Sequence, residues 1–172
     1  MQVQDELLDL VNKQDEVIGT LPRSEVYAKK MHNFRVINGF LINSKRQLWI
    51  PKRTAHKRTS PSALDMSFAG HVETRETYEQ AFKRELKEEL NLDLDKVQFK
   101  EIGYFTPHQN QMYAFMKVYE IKFEGVPDFN RNDFVEGHWL YPEEILKQIE
   151  NGEKAKSDLK KLIKLCYLKE KQ

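Results

Sequence analysis

Cysteine is almost absent: Cys166 stands alone in 172 residues, so no intramolecular disulfide can form, and a reducing cytoplasmic setting is the simplest one. Cys166 itself reads as a packed residue of a terminal helix. Neither sign of charge is in excess. The 28 basic residues nearly cancel the 27 acidic ones, which argues against a protein that works by non-specific attraction to nucleic acid. The first nine residues have no cationic start followed by an apolar run, and no later segment reaches membrane-spanning length, so a soluble protein with no membrane partner is expected. Internal repeats, linkers and low-complexity segments are missing as well. The length suits one domain over 1–172, with no room for a second catalytic one.

What is present centres on residues 70–92. Thr77 and Gln80 have the spacing of a capping box, which predicts a helix beginning near Tyr78. Asn91 tolerates the left-handed conformation common just past a helix end, with Leu92 placed to touch Leu86, so the helix should run for about thirteen residues. Glu85, Glu88 and Glu89 then share one face, while Phe82, Leu86 and Leu90 form an apolar stripe rotated from it by roughly 100°. Three carboxylates so close repel unless a cation joins them. Hard oxygen ligands suit Mg2+ or Mn2+. The same three residues also read as a solvated acidic helix face.

Around this stretch, strands are predicted at 6–12 and 17–21, a short helix through residue 30, and a hairpin of strands at 34–42 and 47–53. Pro51 suggests an edge position or a bulge. A strand at 66–69 delivers Gly70 and His71. Later come strands at 97–105, 111–123 and 137–140, then helices at 142–150 and 157–169, the last carrying Leu159, Leu162, Ile163 and Cys166 along one stripe. The basic run 52–58 has two readings, a solvated loop or a clamp for phosphates led by Lys52 and Arg53. His32 lies in a connecting segment and reads as neither ligand nor contact.

Gly70, Glu76, Arg84, Glu85, Leu86, Glu88, Glu89 and Leu92 fall in place on the Nudix box, G-x5-E-x7-R-E-U-x-E-E-x-G-U, with Asn91 where that pattern has glycine. The chain therefore resembles the Nudix hydrolases. The resemblance implies an α/β fold, an alpha/beta/alpha sandwich with a mixed sheet, here preceded by an amino-terminal β-hairpin. It also implies Mg2+-dependent hydrolysis of a diphosphate in a nucleoside diphosphate-X or related small molecule. Gly70, Glu85, Glu88 and Glu89 would hold the metal, and Arg84 would pair with Glu76 to orient the helix. Glu88 and Glu136 are the candidates for the general base, ahead of Asp133; an exposed strand-end acid is the other reading of Glu136. His71, Lys52 and Arg53 would meet the substrate, and Tyr104, Phe105 and Tyr113 the leaving group.

The residues beyond the box, including Asp133 to Trp139, are similar to the branch that contains isopentenyl-diphosphate isomerase. Isomerases carry a catalytic cysteine where this chain has Ala69, and metal-binding glutamates where it has Gln109 and Gln111. Those departures favour hydrolysis. Isomerisation and a non-catalytic metabolite sensor are the alternatives, and oligomeric state is left open.

Overall fold

A computed structural model describes residues 4–168. Strands β1 (Leu7–Val11) and β2 (Val17–Pro22) form the expected amino-terminal hairpin. Asn12 Oδ1 closes its turn by accepting from the amides of Gln14 and Glu16, and Asp15 takes a left-handed conformation there. Helix α1 (Arg23–Ala28) stops two residues before the predicted end, because Lys30 has φ 53°.

The main sheet contains β3 (Arg35–Ile42), β4 (Leu48–Arg53), β5 (Phe68–His71), β6 (Phe99–Phe105), β7 (Phe115–Lys122) and β8 (Phe134–Leu140). Its order is β6-β7-β3-β4-β8, with β5 paired to the first half of β3. The central pair, β3 and β7, is parallel and the other pairs are antiparallel, so the sheet is mixed. Helix α2 (Tyr78–Leu90) covers one face. A four-residue helix, α3 (Pro107–Asn110), precedes β7, and α4 (Pro142–Glu150) and α5 (Leu159–Tyr167) cover the opposite face. This is the expected sandwich. Among the described residues no helix is long and apolar enough to cross a membrane.

Alternation along β3 explains the layers. Ile37 and Leu41 face α2, whereas Val36 and Phe40 face α4 and α5. Phe82, Leu86 and Leu90 of α2 are fully buried, each contributing roughly 1.5–3 kcal/mol by transfer from water. Phe82 is stacked between Phe68 and Tyr119, at ring separations of 5.5 and 4.2 Å.

Several predicted boundaries move. Strand β7 starts at Phe115 rather than 111, because Pro107 opens a helical turn and Gln111 then bends the chain at φ 55°. Strand β8 starts three residues early and includes Glu136. Pro51 is not on an edge strand, since β4 lies between β3 and β8; its missing N–H falls where β4 has already parted from β3, one residue before an irregularity in register. Helix α5 begins at Leu159, and its predicted end at Lys169 lies outside the described residues.

The hairpin is pinned to the loop between β5 and α2. Leu7 O accepts from Thr74 N at 2.7 Å, and the buried Asp9 carboxylate accepts from Thr74 Oγ1, Thr20 Oγ1 and Arg75 N at 2.7–3.0 Å. From the turn, Asp15 takes the Arg35 guanidinium at 2.6 Å and the hydroxyls of Tyr78 and Tyr104 at 2.8 and 3.0 Å. Asp9→Ala should therefore lower the unfolding free energy by roughly 2–3 kcal/mol. It should also speed hydrogen exchange at the Arg75 amide, as measured by urea melts and NMR; an unchanged Arg75 amide would show that the hairpin does not brace the loop.

Candidate active site

Strand β5, the loop after it and α2 assemble the site. The capping box forms as predicted, with Gln80 N donating to Thr77 Oγ1 at 3.1 Å and Thr77 N to Gln80 Oε1 at 2.9 Å. Asn91 ends the helix in the left-handed region at φ 51°, and Leu92 N donates to Leu86 O. The carboxylate face is thereby aimed at β5. Glu89 Oε2 accepts from Ala69 N at 2.9 Å. Beside it, a Cβ on Gly70 would lie 2.0 Å from Glu85 Oε1, so only glycine lets that carboxylate reach the strand.

Arg84 joins the parts. Its guanidinium grips Glu76 at 2.8 and 3.0 Å, donates to the His71 carbonyl at 2.9 Å and reaches Glu85 Oε1 at 2.5 Å. Burial nonetheless pushes the Glu85 carboxyl up to about 7, against the pull of Arg84. Glu89 is pushed well above the carboxylate range by burial and then by the charges of Glu85 and Asp65. Glu88, 58% exposed, stands at the mouth 3.5 Å from Arg84.

These residues fit a hard divalent cation. Two recessed carboxylates press against a strand that a glycine leaves open, where burial disfavours their charge and a cation would offset that cost. Among the described residues no three acidic, histidine or cysteine side chains are already drawn together as a closed ligand set. Arg84 holds Glu85, and Glu88 points to solvent.

The cleft encloses about 440 Å³ and brings together most of the predicted residues: Gly70, His71, Arg84, Glu85, Glu88 and Glu89. His71 is partly buried, its side chain 13% exposed, with Nε2 2.9 Å from the Tyr27 hydroxyl and Nδ1 3.2 Å from Glu6 Oε2. Burial disfavours its protonated form, while the nearby Glu6 carboxylate pulls the other way. Contact with His71, together with Arg23 and Arg84, holds the Glu6 carboxyl below its usual range.

Two predicted residues lie elsewhere. Lys52 faces away from Arg53 along β4 and pairs with Glu153 at 2.9 Å. Glu136 sits opposite Lys52 on β8, 53% exposed and 3.5 Å from His138, and takes no part in lining the cleft. Arg53 does line it, but its donors are committed to Asp65 at 2.5 Å and to the Thr59 carbonyl at 3.1 Å. The acid that reaches the cleft from this side is Asp133, paired with Lys57. Of the three aromatics, Tyr113 approaches the site, Tyr104 bonds to Asp15, and Phe105 packs into the core. His32 Nδ1 donates to the Tyr113 carbonyl oxygen at 2.8 Å.

Glu6, Arg23 and Lys156 also line the cleft, and reading the chain alone missed all three. Glu6 and Arg23 flank the hairpin, whose alternation carries no mark of what it will face. Lys156 comes from the segment before α5, remote in sequence from the box.

The raised carboxyls set a pH dependence. The folded protein keeps protons on Glu85 and Glu89 that the unfolded chain has lost above about pH 4.5, so metal-free stability should fall as pH rises from about 4.5 through 7. Glu89→Gln keeps the acceptor for Ala69 N without the charge. In a chelator at pH 8 it should melt higher than the parent in calorimetric scans, whereas a lower or equal melting temperature would show that Glu89 is not strained.

Comparison with known proteins places this geometry. The family model described as NUDIX domain matches residues 32–163. An uncharacterized Nudix hydrolase of Nostoc sp. is 54% identical over 162 residues, covering 94% of this chain and 96% of that one. A crystal structure of a Deinococcus radiodurans protein superposes with a TM-score of 0.90 at 45% identity, covering 94% of this chain and 99% of the other. Isopentenyl-diphosphate Delta-isomerase 2 of Photorhabdus laumondii is 30% identical, over 79% of this chain and 77% of its own.

Proposed function

The chain belongs to the Nudix hydrolase family, and on that footing we propose that it is a Mg2+-dependent pyrophosphohydrolase acting on a nucleoside diphosphate-X or related organic diphosphate. The observation that carries this reading is the pair of recessed carboxylates, Glu85 and Glu89, set against the bare backbone of Gly70. A bound Mg2+ would screen the phosphoryl charge and lower the pKa of a water molecule.

The side chains divide the remaining work. Arg23, Lys57 and Lys156 line the cleft and can give charge-assisted hydrogen bonds to phosphoryl oxygens. Glu88 stands at the mouth, free to turn toward an attacking water and take its proton as the bond from phosphorus to the bridging oxygen breaks. Asp133, across the cleft, is the second candidate for that role in place of Glu136. Arg84 is a positioning residue, since its donors are spent on Glu76, Glu85 and the His71 carbonyl. Ala69 offers a methyl group where isomerase chemistry needs a thiol, which supports hydrolysis.

Glu88→Gln and Glu89→Gln should each lower Mg2+-dependent phosphate release from a diphosphate panel on the order of 100-fold or more while leaving far-ultraviolet circular dichroism unchanged. Glu136→Gln should stay within about threefold of the parent, because an exposed acid outside the cleft touches no reacting group. Full activity in both box variants, or collapse in Glu136→Gln, would overturn the assignment.

A further inference from the structure

Strand β8 ends the main sheet on one side: β4 pairs with it, and among the described residues no strand pairs with its other edge. The direction of its free groups follows from β4. Trp49 O accepts from Ser67 Oγ and Pro51 O from Asp65 N, while Arg53 N donates to Ala63 O, so the odd residues of β4 face away from β8. Ile50 and Lys52 therefore face β8, opposite His138 and Glu136, and the N–H and C=O groups of Gly137 and Trp139 point to the open edge. Among the described residues, no hydrogen bond outside the β4 ladder uses the main chain of either one. Natural edges are blunted by lysine, proline or a bulge. From Phe134 to Leu140 there is no lysine and no proline, and the one irregularity sits at the start, beside Val135. The opposite edge differs. Strand β6 is bulged in its middle, between Glu101 and Gly103, and its two charges are paired within the chain, Lys100 with Glu120 and Glu101 with Lys117.

We infer that β8 pairs antiparallel with β8 of a second copy of this chain about a two-fold axis at Gly137, joining the two sheets into one. Centred there, the two Gly137 residues form a hydrogen-bonded pair, because their main-chain groups point outward. Glu136 then lies opposite His138 of the partner subunit, and His138 opposite Glu136 of the partner subunit, in the non-hydrogen-bonded positions where side chains approach most closely. Both are available for this, with side chains 53% and 64% exposed. Val135, 51% exposed, meets Trp139 of the partner subunit, a β-branched residue against an aromatic one. Moving the axis by one residue, to Glu136 or to His138, sets that residue against its own copy and breaks both acid–imidazole pairs. A two-fold contact demands this kind of self-complementarity, since the same patch must serve both subunits.

The test is sedimentation velocity of the full chain over a wide range of concentration, with hydrogen exchange at single amides followed by NMR on the same samples. The parent should pass from monomer to dimer as concentration rises. The Gly137 and Trp139 amides should slow in step with it, while the amides of β6 keep their rates. His138→Glu sets a carboxylate against Glu136 of the partner subunit on both sides of the axis, and should raise the dimer dissociation constant by roughly 10-fold or more. Adding Glu136→Lys to that variant should bring the constant back to within about threefold of the parent, because a lysine then faces each glutamate. A chain that stays monomeric throughout overturns the inference. So does a dimer that His138→Glu leaves intact, or one whose Gly137 amide exchanges as fast as in the monomer; this last reading needs only the parent, and decides the matter if a variant fails to fold. Should the Gly137 and Trp139 amides slow only when an extended peptide of another sequence is added, the edge takes a foreign strand and the second copy is excluded.

Discussion

A single guanidinium, that of Arg84, carries the geometry of the site. It spends its donors on the loop through Glu76, on the end of β5 through the His71 carbonyl, and on its own helix through Glu85. The planar fork of arginine serves three directions at once where a lysine ammonium, a single point charge, fixes none of them. Glu76 also accepts from Glu73 N at 2.9 Å, so the loop is folded around the same ion pair. Behind the loop stands the hairpin, held by Asp9 and Asp15. A chain of polar contacts thus runs from the amino-terminal hairpin to the loop and then to the box helix, outside the two apolar layers.

That scaffold supports residues that oppose folding on their own. Glu85 and Glu89 are held where burial disfavours their charge. Both lie on α2, whose apolar face is fully buried. Local strain of this kind persists when the surroundings fix it firmly, and it concentrates where a ligand completes the structure. The partner that completes them has a definite chemistry, that of a hard divalent cation.

The elements with local signals could be read from the chain. Thr77 and Gln80 marked the start of α2, Asn91 marked its end, and Glu76 with Arg84 formed the pair that the box implies. The turn at Gln111 was hidden inside an aromatic-rich run that looks like one long strand. Lys52 and Arg53 both stood beside the site in sequence, yet pleating sends them to opposite faces, and Arg53 is consumed by Asp65. Asp133 and Glu136 were distinguishable only once β8 was known to begin at Phe134, which leaves Asp133 in the cleft-lining loop and puts Glu136 on an exposed face. Glu6, Arg23 and Lys156 reach the site by tertiary folding alone.

The central claim is that Glu85 and Glu89 hold protons in the metal-free protein and surrender them to a cation. Calorimetric titration of the chelator-treated protein with Mg2+ near pH 7, in two buffers of different ionisation enthalpy, counts the protons released per ion bound. The account predicts net proton release, shrinking as pH rises to 9 and reduced in Glu89→Gln. Binding with the same heat in both buffers would contradict it, because the carboxylates would then already be charged before the cation arrives.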